Sequence, residues 1–106
     1  MNRGDIIWHK FKEPDKKRPV LVLTRNGAIP TLNSLTIVPI TTSVRDIQSQ
    51  VVLTEDDGMP EACAINLDSI QTVAKDKLGS YITHLSDDRM SEVFEAIRFA
   101  FGFDRI

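Results

Sequence analysis

Helical periodicity is concentrated in one stretch near the C-terminal end. Met90, Val93, Phe94, Ile97 and Phe101 recur at i, i+3, i+4, i+7 and i+11, which lays them along one face of an α-helix. Ser86 stands before them as an N-cap. Asp87 and Asp88 occupy the first turn, where the helix dipole favours acids, and Gly102 follows as a stop. The spacing predicts a helix over 87–101 whose apolar stripe serves as core or as a dimer interface. Everything before it reads as short β-type runs cut by turn residues. Short strands with tight turns favour a small, strongly bent sheet closed into a partial barrel, with the helix over its open face. The expected class is mainly β with a C-terminal helix (α+β). The 106 residues form one domain over 1–106, with no internal repeat, low-complexity tract or long linker to divide them.

The runs can be placed individually. Residues 4–11 form a first strand, with Ile6 and Trp8 on one face and Ile7, His9 and Phe11 on the other. Pro19 launches a second strand through Val20–Thr24, apolar on both faces and therefore central. A loop opened by Asn26-Gly27 leads to a third, Leu35–Thr41. Pro39 inside that run demands an edge, a bulge or a missing ladder bond. Further strands follow at 49–54, 62–67, 71–73 and 81–85. An acidic Asp57-Gly58 turn and one 3₁₀ turn at Asp68-Ser69-Ile70 lie among them.

Composition narrows the function. Charged residues are 26% and hydrophobic ones 42%, as in a soluble globular chain. No apolar run approaches the roughly 18 residues of a membrane span, so no membrane role is expected. The N-terminal stretch lacks the apolar core of a signal peptide, which makes the cytoplasm the expected location. Cys63 is alone, excluding an internal disulfide, and its Ala62-Cys63-Ala64 setting reads as a small buried residue. The net charge of −2 argues against general nucleic-acid binding, yet Lys10 to Arg25 holds six Lys/Arg against two acids. A basic patch on an acidic body suits a small anion or a short nucleic-acid segment.

His9 and His84 show no metal-ligand spacing, and both read as structural. There is no glycine-rich phosphate loop and no G-x-S-x-G elbow. What remains is Arg18, the hydroxyls Thr41-Thr42-Ser43, and the carboxylates Glu13, Asp15 and Asp68. Lys16-Lys17-Arg18-Pro19 is compatible with a solvated basic turn or with a phosphate site. Thr41-Thr42-Ser43 is compatible with a capped strand end or with an oxyanion contact. If the strands bearing Arg18 and Thr41 are antiparallel neighbours, an arginine fork and a hydroxyl meet at one rim, as a tetrahedral anion requires. Trp8 reads as core, or as a ring on which bases stack.

Five segments, in order, resemble the MazF/PemK/Kid toxins of bacterial toxin–antitoxin pairs. They are Arg3-Gly4-Asp5-Ile6, Arg18-Pro19-Val20-Leu21-Val22, Val38-Pro39-Ile40-Thr41, Leu67 through Val73, and the terminal helix with Leu85-Ser86, Met90 and Val93. The resemblance implies an SH3-like barrel of the MazF/PemK/CcdB type and a homodimer. It implies a metal-independent, cofactor-free endoribonuclease that cuts single-stranded RNA at short sequences, leaving 2′,3′-cyclic phosphate and 5′-OH ends. It places the catalytic arginine and threonine at Arg18 and Thr41, and an acid–base carboxylate at Asp68. Glu13 is a further candidate for the base. RNA contact extends to Lys16, Lys17, Arg25, Thr42 and Ser43. A cognate antitoxin is expected to lay an acidic, partly disordered segment over the basic loop. A gyrase-inhibiting toxin of the CcdB kind and a catalytically inactive binding barrel are the alternatives. Departures from the family pattern are a shortened loop before Arg18 and Ser69, Gln71 and Ala74 in place of glutamine, arginine and aspartate.

Overall fold

The computed structural model describes residues 1–10 and 17–103. In chain order its strands are β1 (Asp5–Lys10), β2 (Lys17–Val22), β3 (Ser34–Thr41), β4 (Gln50–Leu53), β5 (Cys63–Asn66), β6 (Gln71–Ala74) and β7 (Leu78–His84), followed by helix α1 (Asp87–Phe101). The sheet runs β4-β5-β3-β2-β1-β7, with β6 also on β3, and every registered pairing is antiparallel. The expected class, a mainly antiparallel sheet with one C-terminal helix, is the one observed. No described helix is long and apolar enough to cross a membrane.

Strand β3 organises the sheet because it takes one partner on one edge and two on the other. Val20, Leu21 and Val22 of β2 pair with Pro39, Val38 and Ile37. On the opposite edge β6 pairs with Ser34 through Ile37, and β5 takes over at Ile40 and Thr41. Leu23 N–H donates to the Thr36 carbonyl, so Thr36 points its backbone groups toward the β2 side. Pro39 stands an odd number of residues on, so its missing N–H faces the other edge, at the gap between β6 and β5. The demand that a proline makes inside a strand is met there by a ladder position that has no registered partner.

Both faces of β3 are buried. Val38 and Ile40 join a large core with Ile6, Leu21, Leu53, Ile65, Leu67 and the helix residues Met90, Val93 and Ala96. Leu35 and Ile37 join a smaller cluster with Ile7, Val20, Val22 and Ile29 on the other side. The helix is capped as read: Ser86 Oγ accepts from Arg89 N–H at 3.2 Å, and Gly102 closes it in the left-handed conformation. Its stripe is split. Met90 and Val93 are buried and Ile97 is partly so, while Phe94 and Phe101 stay 41% and 54% exposed, with Ala96 taking a core place instead. The second strand begins earlier than expected, at Lys17, so Pro19 lies inside it rather than at its first position.

The two ends of the sheet meet through side chains. Thr54 and Asp57 cap the turn after β4 reciprocally, and Gly58 follows at φ +90°. A Cβ on Gly58 would fall 2.4 Å from Thr83 Oγ1, so both the backbone and the space require glycine. Thr83 of β7 donates its hydroxyl to the Asp57 carbonyl at 3.3 Å. Arg89 of α1 donates from Nε and from an Nη to the two Asp57 carboxylate oxygens at 2.9 and 3.1 Å. At the other corner the His84 ring nitrogen Nδ1 lies 2.7 Å from buried Asp5 Oδ1, which gives His84 the structural role read from the sequence.

Two stability predictions follow from these groups. Burial pushes the Asp57 carboxyl up, but the hydrogen bonds from Arg89 and Thr54 outweigh it and hold it below the usual carboxylate range. Its contribution is therefore full above pH about 4 and lost as pH falls through the lowered value. Asp57→Asn should cost about 1–3 kcal/mol at pH 7. The gap to the native chain should narrow at pH 3 in urea unfolding, and an equal gap at both pH values would count against it. His9 is buried in β1; that burial, reinforced by Lys77, holds its imidazole below the ordinary value. The unfolded chain takes up the proton first, so stability should fall as pH drops from about 7 to about 5. Thermal melts across that window should slope for the native chain and flatten for His9→Gln.

Candidate active site

Arg18 and Thr41 are brought together by the pairing of β2 with β3. The last registered pair is Val20 with Pro39; two residues further along both strands stand Arg18 and Thr41. Both line one cleft of about 320 Å³, with Trp8, Met59, Pro60 and Glu61 among its walls. Lys17 and Thr42 line it too. On its other side Arg18 is paired in register with His9.

Thr41 carries a further instruction in its hydrogen bonds. Its Oγ1 accepts from the Ser43 backbone N–H at 3.0 Å. A hydroxyl has one proton to give, and with an acceptor site already used its O–H is left to donate outward. The contact is the strand-end cap read from the sequence, and it leaves the Thr41 O–H able to donate to an oxyanion.

Thr41 also lines a second, more polar cleft of about 350 Å³ with Ser43, Arg45, Gln50, Asn66 and Asp68. Asp68 is held by a 2.6 Å hydrogen bond donated by Ser49 Oγ, and its own N–H donates to Asn66 Oδ1 at 3.2 Å. Ser49 is buried, so this carboxylate is oriented from beneath. Asp68 lies within a 3₁₀ turn over Leu67–Ser69, one residue earlier than expected, which Leu67 anchors in the core. Thr41 is therefore the ridge between a cleft carrying Arg18 and one carrying Asp68.

The other expected residues divide. Lys17, Thr42 and Ser43 stand at these clefts. Arg25 does not. It follows the far end of β2, and since a strand advances about 3.3 Å per residue, it and Arg18 stand at opposite rims. Glu13, Asp15 and Lys16 lie outside the described residues. Glu61 and Arg45 were not picked out by sequence reasoning. Neither belongs to a motif, and only the entry of residues 59–61 into β5, beside the end of β3, signals Glu61. Trp8 is half-buried and walls the first cleft rather than filling the core. Cys63 lies at the base of that cleft. Burial, with Glu61 and Asp57 nearby, pushes its thiol up, which suits a packing residue. Among the described residues no group of three or more His, Cys, Asp or Glu side chains is gathered as a metal ion would need.

Known proteins are similar to this chain in sequence and fold. The family model for the PemK-like, MazF-like toxin of type II toxin-antitoxin system matches residues 2–101. The chain is 36% identical over 104 residues to probable endoribonuclease MazF5 of Mycobacterium tuberculosis, covering 97% of this chain and 94% of the relative. It is 37% identical over 90 residues to endoribonuclease MazF3 of the same species, covering 85% and 87%. Among solved structures, the Mycobacterium tuberculosis toxin MazF-mt6 superposes with a TM-score of 0.85 at 34% identity, covering 92% of this chain and 96% of that one.

Proposed function

The chain belongs to the PemK-like, MazF-like toxins of type II toxin–antitoxin systems, and from that premise we propose that it is a sequence-specific endoribonuclease acting on single-stranded RNA. The observation that carries the reading is the convergence of Arg18 and the free-to-donate Thr41 hydroxyl on one cleft. The substrate supplies its own nucleophile. The ribose 2′-OH attacks the adjacent phosphorus, the bond to the 5′-oxygen of the next nucleotide breaks, and the products carry a 2′,3′-cyclic phosphate and a 5′-OH. The protein must stabilise the extra negative charge on phosphorus and take one proton, and the leaving oxygen must gain one.

Arg18 fits the charge. Its guanidinium is always cationic and offers several donors to phosphoryl oxygens, which also disqualifies it as a base. Thr41 donates to a non-bridging oxygen at the ridge. We assign the base to Asp68, whose fixed carboxylate lies across Thr41 from Arg18, as the two ends of an in-line displacement require. Arg18 then stands on the leaving-oxygen side, where its N–H groups hydrogen-bond the departing 5′-oxygen, which takes its proton from solvent water while Asp68 keeps the one removed from the 2′-OH. A cognate antitoxin with an acidic segment fits the basic sequence that leads up to Arg18, and a homodimer and a cytoplasmic location complete the proposal.

The test is to incubate the purified protein with mixed-sequence RNA in EDTA and map the ends. Cleavage with 5′-OH ends is expected. Arg18→Ala should lower kcat by about 10³-fold or more, and Thr41→Ala by about 10²-fold. Intact RNA at stoichiometric protein, with DNA gyrase blocked instead, would overturn the reading.

A further inference from the structure

We propose that the cleft between Arg18 and Glu61 holds the nucleobase immediately 3′ of the cut, and that Glu61 selects which base enters. The inference rests on the cleavage reading above and extends it to substrate choice.

The cleft has the size and the walls for one base. At about 320 Å³ it lies at the small end of ligand pockets. Trp8, Met59 and Pro60 give it apolar faces, and an aromatic ring beside a single-stranded base is a stacking platform. Lys17 and Arg18 at the same cleft suit the phosphates on either side of that base.

Glu61 does not fit the backbone. A carboxylate only accepts hydrogen bonds and repels a phosphate. What it can accept from RNA, beyond the ribose hydroxyl, is an N–H on a base edge: cytosine N4, adenine N6, or guanine N1 and N2. Uracil offers one ring N–H flanked by two carbonyl oxygens, both of which oppose a carboxylate. The pocket should therefore admit bases bearing an amino group and reject uracil.

Position follows from the two clefts. Asp68, facing the 2′-OH, belongs to the polar cleft, and Arg18 belongs to the apolar one. The nucleotide that supplies the 2′-OH thus lies on the polar side of Thr41. The nucleotide that leaves lies on the side of Glu61. The wall that carries Glu61 is also fixed: buried Met59 and the Gly58 turn, fastened to Arg89 through Asp57, precede it directly.

The experiment maps cut sites on a randomised single-stranded RNA pool for the native chain and for Glu61→Gln. Uracil should be depleted at the first position 3′ of the native cut. Glu61→Gln, which keeps the shape but adds a donor, should raise uracil there by about 10-fold, with the same 5′-OH ends and the same preferences on the 5′ side. A uniform loss of rate with unchanged preference would overturn the proposal, as would no change in either. Because Glu61 is exposed, the variant is expected to fold; if it does not, Glu61→Ala, which removes the carboxylate that opposes uracil, should raise uracil at the same position. Native protein that cuts readily before uracil overturns only this inference. Native protein that leaves all RNA intact overturns the cleavage reading itself.

Discussion

The molecule depends on how one strand divides its edge. β3 keeps a continuous partner in β2, while its other edge passes from β6 to β5 at Pro39. A proline would break a continuous ladder. Here it marks the place where two short strands replace one, so no ladder donor is missing there. Because β5 pairs with Ile40 and Thr41, the turn that precedes β5 lies beside the end of β3. That is why Thr41 stands at a meeting point of two clefts rather than on a flat sheet edge.

From that meeting point the chemistry needs little from the protein. In the proposed cleavage the 2′-OH belongs to the substrate, so no side chain has to be activated as a nucleophile. The demands left are a permanent cation, a directed hydroxyl and a carboxylate kept apart from the cation. The structure separates the two charges by placing them in different clefts on either side of Thr41.

Much of this was legible in the residues. The helix was read to its ends because its periodicity, N-cap and glycine stop all agree locally. The strand sequence was legible because turn residues punctuate it. The pairing of Arg18 with Thr41 depended on their strands being antiparallel neighbours, and the register makes them so. What escaped depends on tertiary placement. The position of Glu61 is set by a turn pinned to distant residues, and no local pattern encodes that. Arg25 looked like part of a basic cluster because it is near Arg18 in sequence, but a strand carries charges apart as efficiently as a loop gathers them. Phe94 and Phe101 matched the helical stripe, yet the apolar face that the sheet covers is narrower than the stripe, and small Ala96 sits closer to its centre.

The fastening of the Asp57 turn bears on when the molecule becomes complete. Its partners, Thr83 and Arg89, lie 26 and 32 residues further along the chain. While the protein is still being made, the strands bearing Arg18 and Thr41 exist before the segment that secures the opposite wall. A ribosome that has not yet released the C-terminal helix therefore carries a cleft with one side unfinished. The order of synthesis, rather than any added device, delays the fastening of that wall until Thr83 and Arg89 have been made.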